Sequence, residues 1–422
     1  MQDDTKTVTA WAMYDWANSA FATTVMAGFF PVFFKQYWSA GTDPVVSTAR
    51  LGLANSLAGI TVAFLAPILG AIADKGTAKK RFLLFFAVMG VIMTAGLFFV
   101  SKGQWPYAVV LYALANIGFS GGNIFYDSLL PAVASPRRMD WVSAVGYSLG
   151  YLGGGLLFAV NVIMVLHPGL FGFADSAQAV RFSFLSVAIW WAGFSLPVML
   201  LVHEPRAKIA PDARQAVRSG IEQVVGTFRE IRSLKHIFLF LLAYWLYIDG
   251  VDTIVRMAVD YGMSIGFQSN DLILALLLTQ FVGFPSAIAF GWLGGKIGAK
   301  RGIYLAIGVY IGISVWGAFM NHTYEFYTLA VTIGLVQGGI QALSRSFYAR
   351  IIPADKAAEF FGFYNMLGKF AVVVGPVLMA GVGLLARHMG LAGSLASRIG
   401  ISSVALLFIL GAVLLAFVEE KE

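Results

Sequence analysis

The stretch YWLYIDGVDTIVRMAVDYG occupies Tyr244–Gly262, directly after the apolar run FLFLLA at 238–243. The combined length exceeds the roughly 18–20 residues that carry a helix across a bilayer. Yet the stretch holds Asp249, Asp252, Arg256 and Asp260. At 100° per residue the four charges fall within an arc of about 80°. Val251, Ile254 and Ala258 lie on the opposite side. An isolated charge at the bilayer centre costs about 2.5 kcal/mol on insertion scales and far more in other estimates. Such residues face the interior of a bundle or a water-filled space. The segment therefore reads as a membrane-spanning helix with one polar stripe, and Asp249 stands near its middle.

Outward from this stretch the whole chain has the same character. Of its 422 residues, 59% are hydrophobic and 12% charged, against about 25% charged in a soluble domain. Several further apolar runs are long enough to span. They are continuous rather than alternating, which argues for helices against a β-barrel. The fold class expected is an all-α polytopic membrane protein. The net charge of +7 is then a matter of loop distribution, and no nucleic-acid partner is expected. With no cysteine, disulfides and thiolate metal sites are excluded. The opening MQDDTKTVTA lacks a basic n-region, so no cleavable signal peptide is expected and the first span serves as insertion signal.

Twelve spans are predicted, at roughly 11–36, 51–73, 82–101, 107–131, 142–166, 182–203, 237–262, 271–293, 302–320, 325–349, 358–386 and 398–418. The polar interruption Glu204–His236 divides them six and six. It includes a predicted amphipathic helix near Ile221–Ile231. The expected domains are 1–203, a linker over 204–236, and 237–422. Of the 29 lysines and arginines, 20 fall in the N-terminal tail and in the segments after even-numbered spans. Six lie in the intervening segments, and Arg256, Arg345 and Lys369 lie within spans. The positive-inside rule then places both termini in the cytoplasm, in a plasma (inner) membrane.

Internal repetition is visible. GAIADKGTAKKR (Gly70–Arg81) follows the second span and GWLGGKIGAKR (Gly291–Arg301) follows the eighth. Gly121–Gly122 match Gly338–Gly339, and GYSLG (Gly146–Gly150) resembles FYNMLG (Phe363–Gly368) with one gap. The order is kept at nearly one spacing, as a duplicated six-span half requires. DWANS (15–19) and DGVDT (249–253) also align as Asp-x-x-Asn/Asp-Ser/Thr.

Twelve spans, a long central loop and the Gly-x-x-x-Asp-Lys loop after the second span resemble the major facilitator superfamily. Gly70, Asp74, Lys75, Lys79, Lys80 and Arg81 fit its loop signature, with Gly76 one place early and Gly295 where the second copy's Asp would stand. YDWANSAF (14–21), FYDSLLP (125–131) and LYIDGVDTI (246–254) are similar to the "unidentified major facilitator" branch, which includes autophagy-related vacuolar amino-acid effluxers. The resemblance implies two pseudo-symmetric six-helix bundles, secondary transport by alternating access, and a central cavity lined by spans 1, 4, 7 and 10. It also implies that Gly70, Asp74, Lys75 and Arg81 gate the cytoplasmic side. The plain alternative for that loop is a solvated positive-inside anchor.

Polar stripes recur on other spans. Asn116, Ser120, Asn123 and Asp127 share one face of span 4, and Gln337, Gln341, Ser344, Arg345 and Tyr348 one face of span 10. Asn365 and Lys369 are one turn apart on span 11. Span 1 offers Asn18, while Asp15 is open to a simpler reading as a stabiliser of its helix start. The candidate binding or coupling residues are Asp249, Asp252, Arg256, Asp127, Asn123, Arg345, Gln341, Lys369, Asn365 and Asn18. Asp249 and Asp127 suit an amine or a proton, and Arg345 and Lys369 a carboxylate. The alternatives are a structural Asp252–Arg256 pair at i, i+4 and ordinary interhelical hydrogen bonds.

No nucleotide loop, metal-ligand spacing or nucleophile–base pair stands out, so no enzyme activity, metal or cofactor is expected. The expected function is secondary transport of a small polar solute, an amino acid or related zwitterion or organic anion, with proton coupling open to a buried carboxyl. The expected partners are that solute, protons and the lipid bilayer, for a monomer. A non-transporting sensor or scaffold on the same fold, and a lipid-type exporter, remain alternatives.

Overall fold

The structure is a computed structural model that describes residues 2–42, 44–76, 78–204, 226, 234–264, 269–370, 374–391 and 393–419. The amphipathic helix predicted near Ile221–Ile231 lies outside them, apart from Gly226. The described residues form helices joined by short turns. In order these are α1 (Thr5–Trp38), α2 (Pro44–Gly76), α3 (Lys79–Gly96), α4 (Trp105–Ser128), α5 (Met139–Leu166) and α6 (Ser176–Leu201). There follow α7 (Lys235–Ser264), α8 (Ser269–Ile297), α9 (Ala299–Phe319), α10 (Thr323–Ile351), α11 (Ala357–Phe370), α12 (Val374–His388), α13 (Gly393–Ser403) and α14 (Ala405–Ala416).

Ten helices among the described residues are long and apolar enough to cross a membrane. Two shorter apolar helices, Ala58–Asp74 and Val374–His388, stand where the second and eleventh of the twelve predicted spans were placed. The first span begins earlier than the sequence suggests, at Thr5. Asp4 caps it, its Oδ2 accepting the Thr7 amide at 3.0 Å and the Thr7 hydroxyl at 2.9 Å. These bonds hold the Asp4 carboxyl below its usual range. Asp15 is thus well inside α1 and is not the stabiliser of its start. α1 widens into π-helical turns over Phe21–Phe29 and Phe34–Trp38.

The chain forms two compact units. One comprises Met1–Ser135, Leu149–Ile221 and Asp355–Phe363, the other Pro136–Ser148, Glu222–Ala354 and Tyr364–Glu422. Lipid supplies no hydrophobic drive between helices, so packing depends on close approach of small residues. In the first unit a Cβ on Gly118 would lie 2.6 Å from the Gly90 nitrogen, so α3 and α4 touch backbone to backbone. Apolar side chains such as Leu84, Ile92, Leu196 and Leu200 are exposed, as a lipid-facing surface requires.

The two units repeat a pair of helix ties. In the first, Lys80 Nζ at the start of α3 donates to the Val202 carbonyl beyond α6 at 2.6 Å. At the far end of the same helix pair, Arg181 Nε donates to the Phe98 carbonyl at 2.7 Å. In the second, Lys300 Nζ at the start of α9 donates to the Val418 carbonyl at 2.6 Å. Arg398 Nη1 donates to the Ala318 carbonyl at 2.8 Å at that pair's far end. Cations on otherwise unpaired C-terminal carbonyls also suit the helix dipole.

Candidate functional site

In the second unit the mid-helix acid of the opening stretch is buried. Asp249 is 1% exposed. It is the fifteenth residue of a helix of 30, counting from Lys235. Its Oδ2 accepts the Val374 amide at 3.0 Å and its Oδ1 the Gly375 amide at 2.9 Å. Thr253, one turn on, donates its hydroxyl to Oδ1 at 3.2 Å. Two backbone amides and a hydroxyl thus meet the buried carboxylate, and bonds to an ionised acceptor are the stronger kind. A Cβ on Gly375 would collide with Thr253 Oγ1 and stand 2.8 Å from Asp249 Oδ1. The glycine is therefore needed for the carboxylate to reach the amides.

The first unit sets the aligned residues on a glycine in a related way. A Cβ on Gly150 of α5 would lie 2.6 Å from Ser19 Oγ and 3.5 Å from Asp15 Cβ. So the Asp-x-x-Asn/Asp-Ser/Thr repeat has a spatial meaning. The glycine that meets the second copy is Gly375, whereas a Cβ on Gly368 would find only Tyr244 Oη, at 3.7 Å. Asp15 accepts the Tyr126 hydroxyl at 2.8 Å, and Trp11 stacks on the Tyr126 ring at 4.4 Å. Asn18 Nδ2 donates to Asn123 Oδ1 at 2.5 Å, which joins two candidate residues across α1 and α4. Asp127 is 7% exposed and lies one residue before the end of α4, away from the helix centre.

Arg345, on α10, is 1% exposed. Its Nε donates to Ser143 Oγ at 2.9 Å and its Nη2 to the Ser143 carbonyl at 2.8 Å. The Tyr147 ring covers its guanidinium at 4.2 Å. Five residues on, Arg350 Nη1 pairs with Asp140 Oδ2 at 2.8 Å, and the hydroxyl of Ser346, next to Arg345, donates to Asp140 Oδ1. Asp140 and Ser143 were not among the residues singled out from sequence. Their partners are about 200 residues away, and only the position of Asp140 in the first turn of a helix offers a local signal. Beside this group Tyr244 and Tyr364 stack at 4.1 Å and Tyr348 and Tyr364 at 5.0 Å. Tyr247 Oη meets Ser344 Oγ at 2.7 Å.

The loop after α2 is the third feature. Asp74 Oδ1 accepts the Ala358 amide at 3.1 Å and Oδ2 the Glu359 amide at 2.8 Å. The Lys79 ammonium reaches Asp74 Oδ1 at 2.7 Å. Gly70 is buried where a Cβ would strike the Ala358 carbonyl. Lys79 is a basic partner of Asp74, while Arg81 is exposed. Asp252, Gln341 and Asn365 are half-buried. The side chains of Lys75, Arg256, Asp260 and Lys369 lie outside the described residues, and so does any Asp252–Arg256 pair.

These observations define a polytopic helical membrane protein with buried polar residues inside its spans. Comparison with solved structures gives the class. The human organic anion transporter MFSD10 (TETRAN) superposes with a TM-score of 0.72 at 15% identity, covering 98% of this chain and 100% of that one. The proton:xylose symporter XylE superposes equally, at 0.72 and 13% identity, over 99% and 95%. The fold is that of the major facilitator superfamily of transporters. The family model "Vacuole effluxer Atg22 like" matches residues 44–422. An uncharacterized MFS-type transporter of Bacillus subtilis (strain 168), YxiO, is 38% identical over 100% of this chain and 96% of its own length. Autophagy-related protein 22 of Saccharomyces cerevisiae (strain ATCC 204508 / S288c) is 26% identical over 73% of this chain and 66% of its own length. The chain belongs to the Atg22-like family of major facilitator transporters.

Proposed function

We propose that the protein moves a small polar solute, an amino acid or a related zwitterion or organic anion, by alternating access of two six-helix halves, 1–203 and 237–422, joined by 204–236. The observation that supports this most is the polar interior of α7. A carboxylate fully buried at mid-helix, with the half-buried Asp252 three residues on, is costly in a membrane and is the kind of feature transport pathways retain. The substrate class draws support from the family description as a vacuole effluxer and from the organic anion named for a structural neighbour. Asp249, Asp252, Asp127, Asn123, Gln341, Asn365 and Asn18, with Arg256, Arg345 and Lys369, are the residues proposed to bind solute or couple its movement. Asp74 and Gly70 act in gating. Proton coupling would use Asp249, the acid nearest the middle of its helix. Both termini face the cytoplasm in this proposal, from the distribution of lysine and arginine.

The test is a ligand screen by thermal unfolding of the purified protein in lipid nanodiscs. Amino acids, organic anions and sugars are each added in excess. A ligand at 100 times its Kd stabilises the folded state by about 2.7 kcal/mol. A zwitterion or organic anion is expected to raise Tm, and Asp249→Asn to abolish the rise. Stabilisation by sugars alone would contradict the proposed substrate class.

A further inference from the structure

The Asp74 contact is tied to the end of the first six helices through Glu204. Glu204 stands three residues beyond α6. Its Oε1 accepts the Lys79 amide at 2.7 Å and its Oε2 the Lys80 amide at 3.3 Å. These are the first two amides of α3, which no carbonyl of that helix can satisfy. A carboxylate there also meets the positive end of the helix dipole. The same Lys79 sends its ammonium to Asp74, and Asp74 accepts the amides of Ala358 and Glu359. A continuous chain of charge-assisted bonds thus runs from Glu204 through Lys79 and Asp74 to the start of α11, all within the first unit.

The second unit repeats the neighbouring lysine tie: Lys300 reaches the Val418 carbonyl as Lys80 reaches that of Val202. The residue that stands to Val418 as Glu204 stands to Val202 is Glu420, which lies outside the described residues. The N-cap of α9 is Gly298, and Gly295 stands where Asp74 would be.

We propose that Glu204 is a positioning residue for the Asp74 contact. By fixing the first turn of α3 it holds the Lys79 ammonium against Asp74, and so keeps the Asp74 carboxylate aimed at the amides of Ala358 and Glu359. The functional weight of this rests on Asp74 acting in gating, as proposed above.

Hydrogen exchange of the full chain in nanodiscs, read at two places, tests it. Asp74→Ala is expected to speed exchange at Ala358 and Glu359. Glu204→Ala is expected to speed exchange at Lys79 and Lys80 and also, by about threefold or more, at Ala358 and Glu359. Glu204→Gln keeps the shape and one acceptor, and is expected to give smaller increases at both places. It also serves as the readout if the alanine variant does not fold. Faster exchange at Lys79 and Lys80 alone, with Asp74→Ala still affecting Ala358 and Glu359, would reduce Glu204 to a local cap and overturn the inference while leaving the Asp74 contact intact. No change at Ala358 and Glu359 in Asp74→Ala would remove that contact, and the inference with it.

Discussion

Residues 355–363 in the first unit and 136–148 in the second are both short helix starts held by charge, but by opposite means. The first is held by its backbone. Asp74 takes two amides, and glycines let the chains meet: a Cβ on Gly362 would stand 2.7 Å from the Ala66 carbonyl oxygen, and one on Gly70 would strike Ala358. The second is held by side chains, through Asp140 with Arg350 and Ser346, and Ser143 with Arg345. A backbone grip needs small residues and tolerates little added volume. A side-chain grip needs buried polar groups and tolerates little loss of them. The two units thus hold a helix start by different chemistry.

That contrast orders the expected effects of substitution. Arg345→Ala should be the most damaging, because it opens a cavity and removes both donors to Ser143, whose hydroxyl keeps only its own bond to the Ala342 carbonyl at 2.8 Å. A loss on the order of 3–5 kcal/mol is expected, read as a fall in Tm in nanodiscs. If the loss were under about 1 kcal/mol, the side-chain grip would not be a real load on the fold. Next comes Gly70→Ala, with about 1–3 kcal/mol from overpacking. Gly295→Ala, where a Cβ meets open space, should stay within about 0.5 kcal/mol. Equal effects would erase the distinction between the two units.

The helix ties sharpen the comparison from the other side, since here the units agree. Lys80→Met and Lys300→Met should each cost about 1 kcal/mol, and should match each other more closely than the glycine pair does. The smallest effect belongs to Asp4. Its carboxyl is held below the usual 3.8, so its contribution is present above that pH and fades as pH falls through the lower folded value. Fraying of the first turn of α1 should therefore appear only in strong acid, as faster exchange at Thr7, and Asp4→Asn should flatten the dependence.

Much of this was legible in the sequence, for identifiable reasons. The burial of Asp249 and the partial burial of Asp252 on α7 follow from spacing along one helix, while Arg256 and Asp260 of the predicted stripe lie outside the described residues. The pairing of Asn18 with Asn123 follows once both are placed on inward faces. The Asp-x-x-Asn/Asp-Ser/Thr match holds because an acid and a hydroxyl one turn apart can straddle one glycine. What escaped depends on partners distant in the chain. Ser143 and Arg345 are 202 residues apart, Asp140 and Arg350 210, and Glu204 and Lys79 125. Nothing local marks such pairs. Lys79 reaches Asp74 because a residue in the first turn of α3 points back toward the end of α2.

The central claim is that α7 carries a transport site, and solute counterflow in proteoliposomes tests it most directly. Vesicles are preloaded with a mixture of unlabelled amino acids and organic anions, and each solute is then supplied outside in labelled form. The account predicts transient accumulation of at least one zwitterion or organic anion by the wild type. It predicts accumulation reduced at least about tenfold, some 1.4 kcal/mol in the transport step, by an Asp249→Asn variant that still unfolds cooperatively. Accumulation unchanged in that variant, or none for any solute by folded wild-type protein, would contradict it.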